Sequence, residues 1–406
     1  MERRLLGATA LASVALALAG CGADRGVAQD PNARVTTLSI LDYYNNQPDK
    51  TLVQAGLDTC ATKLGVTLSR EVVPGADLIS KILQRASSDT LPDVMMVDNP
   101  EVKQIAAAGA LAPLGDYGVT ADGFAPGIVD ATSLDGKLYG LAPVVNTIAL
   151  MYNTEMLAEA GIAPPTTWAE LRDAAKKLTT PDHYGIAFSA NATYEGSWQF
   201  LPAMWTNGGD ETDLKSPQVA EALQLWTDLV NQGSASRSVL NWTQGDVKDQ
   251  FVAGKAAMML NGPWQFPALD KFPDLKWSVA TFPVNRPGQT VTTPLGGEAW
   301  TVPITGKPAS QRVAAQFVAC LNSPEQQMEF ARTRFAVPTR TDLLPQFAAE
   351  VPSMAAFTKQ VATARARTGK LSTSWPKAAT AMYTAIQLAL TDQSTPAEAF
   401  RQADES

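Results

Sequence analysis

The chain has a single histidine, His183, among 406 residues, and only three cysteines, Cys21, Cys60 and Cys320. A Ser-His-Asp or Cys-His catalytic arrangement would therefore depend wholly on His183, which stands in the turn-like "PDHYG". A zinc site with Cys and His ligands cannot be assembled from so small a set. Basic residues are scarce as well: 32 Lys and Arg against 40 Asp and Glu, a net charge of −8, with no basic run. That excludes the electrostatic footprint of a nucleic-acid-binding surface and leaves little polybasic attraction to a membrane. No Gly-rich phosphate loop, internal repeat or low-complexity tract is present. No cofactor is implied.

Long apolar runs are missing too, except at the start. "MERRLLGATALASVALALAGC" pairs a short basic head, Arg3 and Arg4, with an uncharged apolar run too short for a comfortable membrane span, which is a secretory signal pattern. Its end, Leu18-Ala19-Gly20-Cys21, resembles the bacterial lipobox, whose cysteine is lipidated and becomes the new N-terminus. We therefore expect a signal peptide over 1–20, a lipid on Cys21 and a tether over 21–35. The protein would be extracytoplasmic and held to the cell membrane by that lipid, stably if two or more acyl chains are attached. Export permits a Cys60–Cys320 disulfide. Each of the two also lies on a helical apolar stripe, Cys60 with Val53, Leu57, Ala61 and Leu64, and Cys320 with Val313, Phe317 and Leu321. A small buried hydrophobe fits there equally well, and both readings stay open.

What is present is a regular alternation. A strand-like "TTLSILDYY" precedes a helical "TLVQAGLDTCATKLG" stopped by Gly65, and then come "VTLSREVV", a helical "DLISKILQRASS" and a buried "DVMMVD". This β-α-β-α-β order predicts an α/β fold with parallel strands and helical crossovers. It resumes with "TIALMYN" and a helix from Thr154 to Gly161. A second helix follows, capped by Thr167 with Glu170 three residues on. "YGIAFS" and "KAAMML" read as further strands.

Open α/β sheets bind ligands beyond the carboxyl ends of their strands. There stand Asp42, Tyr43, Tyr44, Asn45 and Asn46; Asp98 and Asn99; Tyr194, Glu195 and Trp198; and Asn261, Gly262, Pro263 and Trp264. Amides, carboxylates and aromatic rings without a Lys or Arg cluster suit a neutral polyhydroxylated ligand, with hydroxyls matched by polar groups and a C–H face by a flat ring. Gly262 and Pro263 would form a tight corner presenting Trp264 to the crevice. Trp226, in the helical "EALQLWTDLV", reads as core.

Several stretches together carry a family resemblance: "DGKLYGLAPVVNTIALMYNTEMLAEAGIAPPTTWAEL", "FVAGKAAMMLNGPW", "TPLGGEAW", "AAQFVACLNSPEQQ" and "STPAEAFRQA". The chain resembles the solute-binding proteins of ABC importers that take up sugars, the group with maltose- and multiple-sugar-binding proteins. The resemblance implies a two-lobed periplasmic-binding-protein-like fold, each lobe a mostly parallel sheet flanked by helices, with a ligand cleft between. It implies one lobe from 36–145 and 283–338 and another from 146–282 and 339–406. The crossovers would lie near Val145–Thr147, Ala280–Val284 and Val337–Arg340. It further implies a carbohydrate ligand, permease subunits as partners, and a monomer. Carried over residue by residue, the stacking tryptophan falls on Trp264, the segment after Gly-Gly on Gly297, Glu298 and Trp300, the acidic-aromatic loop on Tyr194, Glu195 and Trp198, and a polar pair on Asp98 and Asn99. Trp375 is an additional stacker by a looser match, and Tyr43 and Asn45 complete the expected site.

Two other classes fit parts of the sequence. A lipid-anchored carbohydrate sensor or adhesin would share every feature above. A glycoside hydrolase needs only two carboxylates, for which Asp98, Glu195 and Glu298 are present, but no pair is singled out, and hydrogen-bond acceptors for ligand hydroxyls account for all three. The expectation is a binding protein, not an enzyme.

Overall fold

A computed structural model describes residue 30 and residues 33–405. The expected signal peptide, the lipidation site Cys21 and most of the tether lie outside the described residues. Within them no helix is long and apolar enough to cross a membrane.

The first half runs β1 (Thr37–Asp42), α1 (Asp49–Leu64), β2 (Thr67–Val72), α2 (Gly75–Ser87) and β3 (Val94–Asp98), followed by the short strands β4 (Gly140–Leu141) and β5 (Val144–Val145). The chain continues through β6 (Ala149–Asn153), α3 (Trp168–Leu178), β7 (Tyr184–Ala187), α4 (Tyr194–Thr206) and α5 (Pro217–Asn231) to β8 (Ala256–Asn261) and β9 (Trp277–Ala280). It then forms β10 (Glu298–Thr301), α6 (Pro308–Leu321), α7 (Pro324–Arg334) and β11 (Val337–Pro338), and ends in α8 (Trp375–Leu390) and α9 (Pro396–Glu405). The α3 capping box is complete: Thr167 Oγ1 accepts from the Glu170 amide, and Glu170 accepts from the Thr167 amide.

Two sheets result, one in the order β2-β1-β3-β10-β4 and the other β9-β6-β8-β7. The fold is the expected two-lobed α/β architecture, but both sheets are mixed rather than mostly parallel. β1 pairs in parallel with β2 and β3, whereas β10 is antiparallel to β3 and β4. In the second sheet β6 is antiparallel to both neighbours, and only β7 and β8 run together. Parallel neighbours need a crossover helix. β6 and β10 are instead entered as the chain crosses from the other sheet, and they run antiparallel to their neighbours.

Those links lie side by side. β5 and β11 pair antiparallel, and Asn146 bridges Gly296. Part of the 283–292 stretch packs against elements around the second sheet. Val284 bridges Thr167, Trp168 Nε1 donates to the Pro283 carbonyl at 3.0 Å, and Arg286 pairs with Glu221. The chain passes over near Pro294, whose carbonyl accepts from Thr147 Oγ1 at 2.7 Å.

Cys60 and Cys320 form a disulfide between α1 and α6, with Cα atoms 5.8 Å apart. The apolar stripe around Cys60 is buried as expected, so the cysteine is both a core residue and a bridge. In the second lobe, Trp226 is 1% exposed and meets Phe188 and Phe200 at ring-centroid distances of 4.6 and 5.4 Å. Emptying such a site leaves a cavity its neighbours cannot fill. Trp226→Ala should therefore lower the unfolding free energy by about 3–5 kcal/mol in denaturant titrations of the ligand-free protein; a loss under about 1 kcal/mol would mean that the ring is not a core element.

Candidate functional site

Between the lobes lies a cleft of about 530 Å³. One wall begins at the end of β1, where the chain turns after Asp42. The Tyr43 and Tyr44 hydroxyls donate to Oε1 and Oε2 of Glu298, each at 2.5 Å. Glu298 opens β10 directly opposite Asp98, the last residue of β3. Burial, then the Glu298 charge, holds the Tyr43 phenol well above its ordinary pKa; burial does the same for Tyr44 against the opposing pull of Arg334. Both phenols are therefore donors at neutral pH, and Glu298 is fixed at both oxygens.

The facing wall is built from α4 and the β8 corner. Thr193 caps α4 by accepting from the Glu195 amide, which sets Tyr194, Glu195 and Trp198 on the first turns. Glu195 Oε1 accepts from the Gln244 amide at 2.5 Å, and burial raises the Glu195 carboxyl pKa. Tyr194 stands at the rim, 41% exposed. The Trp264 corner is made differently from the sequence expectation. Gly262 is extended, φ −110° and ψ 171°, not left-handed. The reason for a glycine is proximity: a Cβ there would sit 1.9 Å from the Trp264 ring, which folds back over it. Pro263 then starts a short 3-10 turn, and the buried Asn261 ties the corner to the Gln244 carbonyl at 2.9 Å.

Of the expected residues, Tyr43, Asn45, Asp98, Tyr194, Glu195, Trp198, Trp264, Gly297 and Glu298 line one cleft. Gly297 adopts φ +116°, and a Cβ on it would meet the Val144 carbonyl at 2.7 Å, so the loop can tuck against the crossing strand only as glycine. Three do not line it. Asn99 is 1% exposed, and its Nδ2 donates to the Leu295 and Gly297 carbonyls at 3.2 and 2.9 Å, so it holds the loop behind the wall. Trp300 is 2% exposed: it shares a strand face with Glu298 but lies two residues, about 7 Å, deeper in the core. Trp375 is 2% exposed in the second lobe, where it continues the α8 stripe of Ala379, Met382 and Ile386.

The sequence reading missed Asn146, Gln244, Arg334 and Arg367, which also line the cleft, with Asp49, Gly75 and Gly296. Two guanidiniums stand where no basic cluster was expected. Arg334 donates to Asp49 at 2.8 Å and lies 4.4 Å over the Tyr44 ring, while Arg367 donates to both Asp98 oxygens at 2.8 and 2.9 Å. Arg334 ends α7 and Arg367 lies beyond the last strand, so inspection of strand ends alone could not find them. The one available signal was Arg334 lying just before the third crossing. Arrayed this way, the cleft offers phenol, amide and guanidinium donors, carboxylate acceptors and the indole of Trp264, with Trp198 in the wall beneath the Arg367 guanidinium. Such an arrangement can bind a polar, partly flat ligand.

A family model described as Bacterial extracellular solute-binding protein matches residues 57–359. The chain belongs to that family. As a solute-binding protein it has relatives at modest identity. One from Brucella abortus is 29% identical over 238 residues, 55% of this chain and 57% of that one, so the chain spans little more than half of that relative's length. The maltooligosaccharide ABC transporter solute-binding lipoprotein of Streptococcus pneumoniae serotype 4 is 24% identical over 83% of this chain and 80% of its own. The crystal structure of the cyclic alpha-maltosyl-1,6-maltose binding protein from Arthrobacter globiformis superposes with a TM-score of 0.80 at 25% identity, covering 92% of this chain and 98% of that one. These relatives are binding proteins rather than enzymes.

Glu101, just behind Asp98, has its carboxyl pKa pushed up to about 8 by burial and by the Asp98 charge, against the pull of Arg367. From about pH 4.5 to about pH 8 the folded protein holds a proton that the unfolded chain has released, so stability falls as pH rises through that window. Glu101→Gln should flatten this fall and be the more stable protein above about pH 8. Denaturation midpoints across the window check it, and parallel curves for the two proteins would show that Glu101 is not the titrating group.

Proposed function

We propose that this protein is the substrate-capturing component of an ABC sugar importer, lodging a mono- or oligosaccharide between its lobes and handing it to membrane permease subunits. The observation that carries this is one cleft in which the Trp264 indole stands among fixed carboxylate, phenol and amide groups. Its volume of about 530 Å³ is in the range of small-molecule sites. Flat rings cover the apolar C–H face of a pyranose, and the polar groups match its hydroxyls. Relatives that bind maltooligosaccharide, maltotriose and lactose agree with a saccharide ligand. Tyr43, Asn45, Asp98, Tyr194, Glu195, Trp198, Trp264, Gly297 and Glu298 are the residues we assign to it, together with Asn146, Gln244 and Arg367. The lobes divide at the crossings 144–148, 294–297 and 337–340.

A saccharide panel screened by thermal shift, followed by titration and solution scattering, tests this reading. Binding with a contraction of the particle and unchanged sugar is expected. Trp264→Ala should weaken binding by about 1–3 kcal/mol, roughly 5- to 150-fold in Kd, with little effect on the ligand-free melting point. No binding across the panel would overturn the reading, and released monosaccharide would replace it with a hydrolase.

The lipid anchor belongs to the same proposal. Acylated Cys21 would keep the protein beside its permease, since its acidic surface gives it no electrostatic hold on an anionic leaflet. Cys21→Ala should move the protein from the membrane to the soluble fraction with saccharide affinity unchanged; a variant that still sediments with membranes refutes the anchor.

A further inference from the structure

The wall of the cleft includes a segment, residues 364–370, that belongs to neither sheet. Its backbone runs along the second crossing: the Arg365 amide donates to Thr293 O at 3.0 Å, and the Leu295 amide to Arg365 O at 2.8 Å. Toward the second lobe, Arg365 reaches Asp210 at 3.2 Å and the buried Glu211 at 3.1 Å, and lies 4.5 Å over the Trp205 ring. Lys370 pairs with the same Asp210, and the chain then leads into α8 of that lobe. Toward the first lobe, Lys103 donates to the Thr368 carbonyl at 3.2 Å, and Arg367 grips both oxygens of Asp98 at the end of β3.

Arg367 touches both lobes inside the cleft. While its terminal nitrogen holds Asp98, the plane of its guanidinium lies 4.7 Å from the ring centre of Trp198 on α4. Its side chain is only 6% exposed. A guanidinium that far from water is costly unless a counter-charge stands against it, and removing either partner strands the other. Arg365 and Lys370 root the segment in the second lobe by three ion pairs, whereas Asp98 is fixed to the first by strand pairing. Moving the lobes apart would therefore part Arg367 from Asp98.

We propose that Arg367 is an interlobe clasp, a positioning residue whose pairing with Asp98 and stacking on Trp198 form as the lobes close, and which thereby sets the balance between open and closed forms. The proposal rests on the two-lobed closure described above and not on the identity of the solute. It also alters the role of Asp98: both of its oxygens are engaged by Arg367, so the clasp holds this carboxylate in place along the cleft wall.

The test uses the full chain in detergent without any saccharide, so its outcome is independent of the sugar assignment. Spin labels at Lys137→Cys and Lys177→Cys, exposed positions on the first and second lobes, report the interlobe distance distribution. Arg367→Gln and Asp98→Asn should each shift it to longer distances. The double variant should shift it no further than Arg367→Gln alone, because that substitution already removes the pairing with Asp98. Arg367→Lys should recover part of the shift, since a lysine keeps the charge but neither grips two oxygens nor stacks as well. Circular dichroism guards against unfolding; Asp98→Asn, which keeps the side-chain volume, carries the test if Arg367→Gln does not fold. An unchanged distribution in the folded single variants, or shifts that add in the double variant, would overturn the clasp.

Discussion

The two walls of the cleft are held together by the chain passing three times between two sheets within one narrow zone. β5 and β11 are paired there, and the Asn146–Gly296 bridge lies alongside. Because the links are hydrogen-bonded to one another, the lobes share a seam instead of being joined by loose linkers. Glu298 stands just past one pass, Arg334 just before another, and Asn146 within the third. Displacing the seam would move groups on both walls at once. Gly297 belongs to this constraint, since it lets the returning loop press against Val144.

The second theme is the pairing of charge. Four carboxylates line the cleft, Asp49, Asp98, Glu195 and Glu298, and each is already engaged: by Arg334, by Arg367, by a backbone amide, and by two phenols. Half-buried acids in a narrow cavity would otherwise repel one another and draw protons. Their partners hold them in preset directions, so an entering solute meets oriented acceptors and little ordering cost remains at binding.

The sequence made the architecture legible wherever local pattern decides the outcome. The opening β-α-β-α-β run, the Thr167–Glu170 capping box and the burial of Trp226 all follow from short-range periodicity. Most of the cleft was readable for the same reason, because strand ends can be located along a chain. What failed was long-range. Strand direction in β6 and β10 depends on how the chain returns between lobes, which no local pattern records. Trp300 and Trp375 matched family positions, yet depth within a strand and the stripe of α8 bury them. Arg334, at the end of α7, and Arg367, in an irregular segment, reach the site from positions distant in sequence from their partners. Gly262 was rightly flagged for the wrong cause: steric room for an indole, not a turn.

The Cys60–Cys320 bridge joins helices separated by 260 positions, and the whole second sheet lies within that interval. Topologically, the first lobe is a closed covalent ring from which the inner portion of the second lobe is suspended as a loop. A single backbone cut anywhere in that loop opens it without detaching either end, because both ends remain joined through the sulfur atoms. The protein therefore resists fragmentation by a protease acting on the part of its second lobe between the two cysteines, as long as its surroundings keep the bond oxidised.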